Sequence, residues 1–263
     1  QLLRSELDAS EARAAPAHAE TPPVMAEELG RSNAELARAN RELEAFSYSV
    51  SHDLRAPLRT ISAFSHAIVE DLGTPISDKV QDHIRRVLAA TSRMSDLIDA
   101  LLELARISRA PIGRHPVDFS HLASSVMEEL ARREPDRHIA TDVTPGMVIH
   151  ADGRLIRILL DNLLGNAWKF TLGREAPAIT VGCEHCEDDV VYFVRDNGAG
   201  FDMSQVGRLF TPFQRLHSDA SFAGTGIGLA TVRRIVERHG GKIWAEGSTG
   251  AGAKISFTVP ENR

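Results

Sequence analysis

The sequence predicts an α+β protein in which a helical hairpin precedes an α/β sandwich. Leucine or valine recurs every seven residues from Leu29 to Val50, which is the period of a coiled-coil seam. A second apolar seam runs from Val80 to Ala105 in steps of three and four, and short alternating runs typical of strands follow it. With 263 residues, 43% of them hydrophobic, the chain has room for two such domains.

Charge and composition exclude two classes of partner. The net charge of -6 and the scattered lysines and arginines offer no basic field for nucleic acid. No apolar run approaches the roughly 20 residues needed to cross a bilayer, so we expect a soluble, cytoplasmic segment without a membrane. Prolines within residues 1–28 break helical continuity, and the chain begins with Gln1. We interpret residues 1–28 as a linker from a missing upstream domain.

Residues 28–71 are predicted to form the first helix, ending near a glycine and a proline at 73 and 75. Its heptads place asparagine at two a positions, which favours a defined register and a parallel dimer. The same register gives His52 the solvent-facing f position. Pro57 has no N–H to bond the carbonyl of Asp53, so we expect a kink beside His52. For His52 alone, a solvated surface histidine is the alternative.

The second helix has an apolar seam that only a helix packed on other helices needs. A short connection makes the two helices an antiparallel hairpin, and two chains would form a four-helix bundle. We therefore predict a homodimer through residues 29–110. The seam consists of Val80, Ile84, Val87, Thr91, Met94, Ile98, Leu101 and Ala105.

A new domain is predicted at residues 117–263, after a hinge at 111–116 that contains two prolines and a glycine. Ser120 is the expected N-cap of a helix to Arg133, and Asp152 the expected start of a helix to Phe170. Strand-like runs without regular βαβ alternation indicate a sandwich with helices on one sheet face. These runs are 138–143, 147–150, 178–185, 190–195, 242–246 and 254–259.

Cys183 and Cys186 lie in or beside the strand-like run 178–185. A zinc site would need a second ligand pair at similar spacing, and the sequence has none. We interpret both as reduced structural residues.

Two asparagines and a lysine share one face of the helix that follows Asp152. Asn162 and Asn166 are four residues apart, and Lys169 is three further along. Amide oxygens suit Mg²⁺, and the ammonium can neutralise phosphate charge. Plain surface polarity is the alternative, but the asparagines interrupt an apolar face.

Two glycine-rich loops complete the chemistry-bearing segments. Asp196 ends a strand-like run and precedes Gly198 and Gly200, which allow close backbone approach, although a simple turn would use the same residues. The second loop leads into a helix whose free N–H groups can bind phosphate, and it lacks the Gly-Lys-Ser/Thr of a P-loop. It contributes Gly224, Thr225, Gly226, Gly228 and Leu229. Residues 197–223 are predicted to form a mobile lid, in which Phe210 and Phe213 either anchor the lid or dock on the hairpin.

Residues 46–263 resemble the catalytic core of bacterial two-component sensor histidine kinases, with a GHKL-type ATP-binding domain. Five motifs occur in the family order: an H box at 51–58, an N box at 161–170, glycine boxes at 196–200 and 224–230, and an F box at 209–213. Five motifs in this order are specific, whereas one glycine motif is weak. The H box is similar to those of bacteriophytochromes and PAS-linked kinases.

The resemblance implies autophosphorylation of His52 with ATP and Mg²⁺ as cofactors. Asp53 would orient the imidazole or accept its proton, Asp196 would accept from the adenine amine, and Phe170 would contact the nucleotide. The implied partners are an upstream sensor domain in the full-length chain and a response regulator, whose receiver aspartate would take the phosphoryl group.

The position four residues after His52 is Ala56, where relatives with phosphatase activity carry threonine or asparagine. Phosphatase activity is therefore doubtful. Two alternatives remain: an ATP-hydrolysing machine like gyrase or chaperone ATPases, which the H box on a dimeric hairpin disfavours, and a noncatalytic dimeric scaffold, which the intact nucleotide motifs disfavour.

Overall fold

A computed structural model describes residues 30–32, 38, 54–70, 77–109, 111–186, 189–214, 216 and 224–260. Residues 30–32 and 38 are helical, residues 54–70 form helix α1, and Asp78–Arg109 forms helix α2. His52, Asp53, most of the predicted coiled coil and the predicted helix end near residue 73 lie outside the described residues. Pro57 lies within α1.

Helices α1 and α2 form the predicted antiparallel hairpin. Leu58 near the start of α1 is buried with Ile98 and Leu102 in the second half of α2. Arg55 and Asp99 form an ion pair across the same level of the hairpin. Of the predicted seam, Thr91 and Ile98 are buried, whereas others remain exposed in the single chain: Val80, Val87 and Met94.

The C-terminal domain is an α/β sandwich, as predicted. Its five-stranded sheet has the order β2-β4-β5-β7-β6, with β2 parallel to β4 and the other pairs antiparallel, while β1 and β3 form a separate antiparallel pair. In chain order the elements are β1 (His115–Asp118), α3 (Phe119–Arg133), β2 (Ala140–Val143), β3 (Val148–Ala151), α4 (Gly153–Phe170), β4 (Ala178–Cys186), β5 (Asp189–Asp196), a 3-10 turn (Met203–Gln205), α5 (Val206–Leu209), α6 (Gly228–Arg238), β6 (Ile243–Ser248) and β7 (Gly252–Thr258).

The main core lies between one face of the sheet and helices α3, α4 and α6. Ile156, Leu159 and Leu160 of α4 are completely buried, because they repeat at helical spacing on the face toward the sheet. Tyr192 of β5 stacks on Phe257 of β7 with ring centroids 5.7 Å apart. Each large apolar side chain buried in this way contributes about 1.5–3 kcal/mol to the stability of the fold. These contacts fix the position of α4 on the sheet.

The predicted hinge at residues 111–116 is too long. Strand β1 begins at His115, and Pro116 pairs in register with His150 of β3. A proline is tolerated there because a two-stranded edge does not require its missing N–H. Only residues 111–114 of the predicted segment are irregular.

The predicted N-cap Ser120 is also wrong. Helix α3 is capped by Asp118, whose carboxylate accepts from the N–H of His121 at 2.8 Å. The Ser120 hydroxyl instead donates to the Thr144 carbonyl at 2.7 Å and accepts from the Met147 N–H at 2.9 Å. It therefore ties the loop between β2 and β3 to the helix.

Asp152 caps α4, as predicted, and also anchors the preceding linker. Burial raises the pKa of its carboxyl, but hydrogen bonds from Arg154, Gly113 and Leu155 outweigh that effect and lower the pKa to about 2. The Asp152 N–H donates to Nε2 of His239, a fully buried residue at the end of α6. This network fixes the linker between the hairpin and the C-terminal domain to the start of α4 and the end of α6.

The two cysteines lie in β4, which confirms the strand prediction. Cys183 is a half-buried free thiol that packs against the core. Among the described residues, no group of three or more histidine, cysteine, aspartate or glutamate side chains could hold a metal ion. In the same part of the chain, no helix is both long and apolar enough to cross a membrane.

Candidate active site

One cavity of about 260 Å³ brings together the polar face of α4, the end of β5 and the start of α6. Eleven of the twelve predicted nucleotide-site residues line it. Gly198 does not line the cavity. Its N–H donates to Oδ1 of Asp196 at 2.8 Å, so it contributes by orienting that carboxylate. The lining residues are Asn162, Asn166, Lys169, Phe170, Asp196, Gly200, Gly224, Thr225, Gly226, Gly228 and Leu229.

The asparagines and the lysine share one face of α4, as their spacing predicts. The amide nitrogen of Asn162 donates to the Ile158 carbonyl at 2.8 Å, which turns its oxygen toward the start of α6. A Cβ built on Gly228 would lie 2.5 Å from that oxygen. The ammonium of Lys169 donates to Oδ1 of Asn166 at 3.3 Å. Two amide oxygens and one cation are therefore presented to the same cavity.

Asp196 provides a carboxylate on the opposite wall, at the end of β5. Burial raises the pKa of its carboxyl, while hydrogen bonds from the N–H groups of Gly198 and Ala253 and the charge of Arg174 act in the other direction. A carboxylate held in this way is a strong acceptor for an N–H donor entering the cavity.

The second glycine loop ends at the N-terminus of α6. No side chain caps this helix; its N-cap residue is Ile227, whose N–H is 3.4 Å from the Thr225 hydroxyl oxygen. Gly226 has φ of +73°, in the left-handed region that favours glycine. A helix start without a side-chain cap, facing a cavity, suits a phosphate group.

Sequence reasoning missed the apolar wall of the cavity. Phe201, Ala253 and Ile255 line it, the last two from alternate positions of β7. The spacing of Ala253 and Ile255 by two residues could have predicted that they share one face of the sheet. It could not have predicted that this face lies opposite α4. Such a wall between polar ends fits a flat aromatic base with a charged tail.

Helix α2 of the hairpin also reaches the cavity, through Ala100 and Glu103. Burial and the nearby charge of Asp161 raise the pKa of Glu103. Further along α2, Ile107 is buried in the core of the C-terminal domain, and the Ser108 hydroxyl accepts from Nε of Arg234 in α6 at 3.0 Å. The hairpin thus contributes one side of the site.

The predicted lid is described in part. Phe213 is 57% exposed and has φ of +65°, and its N–H donates to the Gly226 carbonyl at 3.0 Å. Phe210 is half-buried. The F box is therefore tied to the second glycine loop, whereas residues 215 and 217–223 lie outside the described residues. Mobility of the lid stays a prediction.

Two protein families match this chain. Residues 42–110 match the His Kinase A (phospho-acceptor) domain, and residues 151–263 match the histidine kinase-, DNA gyrase B- and HSP90-like ATPases. Both matches fall on the segments in which the H box and the nucleotide motifs were identified.

Similar proteins include cyanobacterial phytochrome B of Nostoc sp., 34% identical over 90% of this chain and 32% of the relative. The methanogenesis regulatory histidine kinase FilI of Methanothrix harundinacea is 35% identical over 89% of this chain and 26% of the relative. The chain thus spans about a third or less of the length of these curated relatives.

Among solved structures, full-length ShkA in complex with AMPPNP has a TM-score of 0.60 and 27% identity, covering 83% of this chain and 45% of ShkA. The likeness to ShkA therefore extends over most of the chain. The chain therefore carries the catalytic core of a sensor histidine kinase, a phospho-acceptor domain followed by an ATPase domain.

Proposed function

We propose that this chain transfers the γ-phosphoryl group of ATP to an imidazole nitrogen of His52. The observation that carries the proposal is the convergence of the asparagine face of α4, the carboxylate of Asp196 and the uncapped start of α6 on one cavity. The complex of ShkA with AMPPNP supports a nucleotide in this cavity.

The chemistry of the walls assigns the parts of the nucleotide. Asp196 would accept a hydrogen bond from the exocyclic amine of adenine, with the base against Phe201 and Ile255. The phosphates would lie at the start of α6, a helix whose N-cap residue makes no side-chain hydrogen bond, and near Lys169. A Cβ on Gly224 would be 3.2 Å from the ammonium of Lys169, so the lysine already lies against the phosphate loop.

The oxygens of Asn162 and Asn166 would hold Mg²⁺. Both are hard oxygen donors in the cavity, and Mg²⁺ typically takes few protein ligands beside water and phosphate oxygens. When bound, the ion would neutralise charge on the phosphate oxygens. Lys169 now bonds Asn166, so we expect its ammonium to move to a phosphate when Asn166 binds the metal.

In the transfer step the His52 nitrogen forms a bond to the γ-phosphorus as the bond to the bridging oxygen breaks and ADP leaves. Asp53 would orient the imidazole or take its proton. Positioning carries most of the catalysis in such transfers. The phosphoryl group would then pass to a receiver aspartate of a response regulator, and an upstream sensor domain would control the rate.

Weak phosphatase activity follows from Ala56, an exposed residue of α1 without a hydrogen-bonding side chain. Such a side chain would be needed to position a hydrolytic water. The proposed balance therefore favours phosphorylation of the regulator.

We also propose that the hairpin forms a homodimer. Apolar side chains on both helices remain exposed in the single chain although Leu58, Ile98 and Leu102 fill the inside of the hairpin. Exposed apolar stripes at heptad spacing are typical of a helical bundle interface. The stripes comprise Ile61, Phe64 and Ile68 on α1 and Val80, Val87 and Met94 on α2.

Phe64→Asp is expected to dissociate the dimer, because Phe64 is 67% exposed in the single chain and a bundle would bury one aspartate from each subunit. Burying unpaired carboxylates costs several kcal/mol, so the dimer Kd should rise at least ~100-fold. Sedimentation equilibrium measures this change. Leu172→Asp, at a residue 56% exposed in the C-terminal domain, is the control and should leave the dimer intact. A dimer unaffected by Phe64→Asp would contradict the bundle.

The proposed kinase activity is tested by incubating the chain with γ-labelled ATP and Mg²⁺. We expect a labelled chain whose phosphate is stable in base and lost in acid, as for a phosphoramidate. Chelation of the metal should prevent labelling. Steady ATP turnover without a labelled protein would instead support an ATPase of the gyrase and chaperone kind.

A further inference from the structure

Arg174 lies in the turn after α4 and connects two segments that are distant in the sequence. Nη2 of its guanidinium donates to the carbonyl of Gly198, in the first glycine loop, and to the carbonyl of Gly250, in the turn between β6 and β7. Its own N–H donates to the Thr171 carbonyl at 3.2 Å. Arg174 does not line the cavity, and no sequence motif of the site includes it.

One of the two segments that Arg174 bridges bonds Asp196, and the other bonds the first segment. The Gly198 N–H donates to Oδ1 of Asp196 at 2.8 Å, and the Gly250 N–H donates to the carbonyl of Ala199 at 2.7 Å. The guanidinium therefore holds the loop that orients the carboxylate and adds a positive charge close to it. Without that cation, the carbonyl of the buried Gly198 would lose this donor.

We propose that Arg174 is a positioning residue that sets the base selectivity of the nucleotide site by keeping Asp196 oriented and ionised as a hydrogen-bond acceptor. This inference rests on the proposed nucleotide-binding function. An ionised carboxylate accepts from the 6-amino group of adenine, whereas a protonated carboxyl can donate to a 6-oxo group. Arg174 thus favours a 6-amino purine over a 6-oxo purine.

The pKa of Asp196 supports the argument. Burial raises it above its usual value, and the hydrogen bonds from Gly198 and Ala253 and the charge of Arg174 offset only part of that rise. Removing the charge leaves burial less opposed, so the pKa of Asp196 rises further.

The test compares binding of non-hydrolysable adenine and hypoxanthine triphosphates by calorimetry to the wild-type chain and to two variants. Arg174→Gln keeps an N–H donor but removes the charge, and Arg174→Lys keeps the charge. The ratio of adenine to hypoxanthine affinity should fall about tenfold in Arg174→Gln and less than about threefold in Arg174→Lys. Arg195→Gln is the matched control, because its guanidinium lies over Phe193, 5.4 Å from the ring centroid, and it should leave the ratio unchanged.

A double-mutant cycle separates a role through Asp196 from a general loss of structure. In an Asp196→Asn background, Arg174→Gln should change the ratio less than about twofold, since the charge no longer has a carboxyl to act on. Equal weakening of both nucleotides by Arg174→Gln, with the ratio preserved, would overturn the proposal while leaving the proposed function intact. Failure of the wild-type chain to bind either triphosphate would overturn the proposed function and this inference together.

Discussion

His52→Gln is expected to abolish acid-labile phosphorylation of the chain and to leave ATP binding within about twofold of wild type. Glutamine is polar and similar in length, but its amide nitrogen has no free lone pair to attack phosphorus. The cavity residues lie at positions 100 and beyond, so the substitution should not alter the nucleotide site. The measurement is incorporation of label from γ-labelled ATP, with ATP-analogue affinity measured by calorimetry on the same preparation.

The matched control is His66→Gln. His66 is an exposed histidine of α1, two heptads after His52 and therefore at the same heptad position, but alanine follows it where aspartate follows His52. Labelling should persist within about twofold in this variant, since solvent exposure alone does not make a phosphoacceptor. Retained acid-labile label in His52→Gln would identify a different acceptor and contradict the assignment.

Gly200→Ala is expected to weaken nucleotide binding strongly. Gly200 has φ of +63°, and a side chain there would overlap the Ser248 carbonyl oxygen and lie 2.8 Å from that of Gly252. The turn cannot easily retreat: Ser248 accepts from the Ala251 N–H, and the Gly250 N–H bonds Ala199. Strain and overlap together cost about 2–4 kcal/mol, so ATP-analogue affinity should fall at least ~30-fold.

Calorimetric titration with the ATP analogue and urea denaturation measure the two consequences of Gly200→Ala. Gly207→Ala is the control, because a Cβ on Gly207 in the exposed helix α5 meets nothing within 4 Å. That variant should bind normally and gain up to about 1 kcal/mol in stability. Wild-type affinity in Gly200→Ala would mean that the loop accommodates a side chain, and the close approach would not be a requirement of the site.

His52→Gln and Gly200→Ala together distinguish phosphorylation between the subunits of a dimer from phosphorylation within one subunit. When His52→Gln chains are mixed with Gly200→Ala chains, phosphorylation between subunits would label only the Gly200→Ala chain, which keeps the acceptor. Phosphorylation within a subunit would label neither. Preformed dimers exchange subunits only when they dissociate. Mixed dimers are therefore prepared by co-expressing the two variants, or by mildly unfolding and refolding them together.

The sequence by itself determined the local structural elements and the protein family. Heptad and period-two patterns predicted the hairpin helices and the strands, and Asp152 was recognised as the cap of α4 because capping depends on residues within one turn. The spacing of Asn162, Asn166 and Lys169 placed them on one face, since helical geometry alone determines that. The order of the five motifs identified the family.

Only the tertiary structure decided which groups that are distant in the sequence come into contact. Ser120 was the expected cap by residue type, yet its hydroxyl bonds Thr144 and Met147, and Asp118 takes the cap. Proline and glycine predicted a break through Pro116, yet pairing with β3 extends a strand across it. Glu103 of the hairpin lines the nucleotide cavity, and Arg174 bonds the Gly250 carbonyl. Both contacts join elements that are far apart in the chain, and no local sequence pattern encodes them.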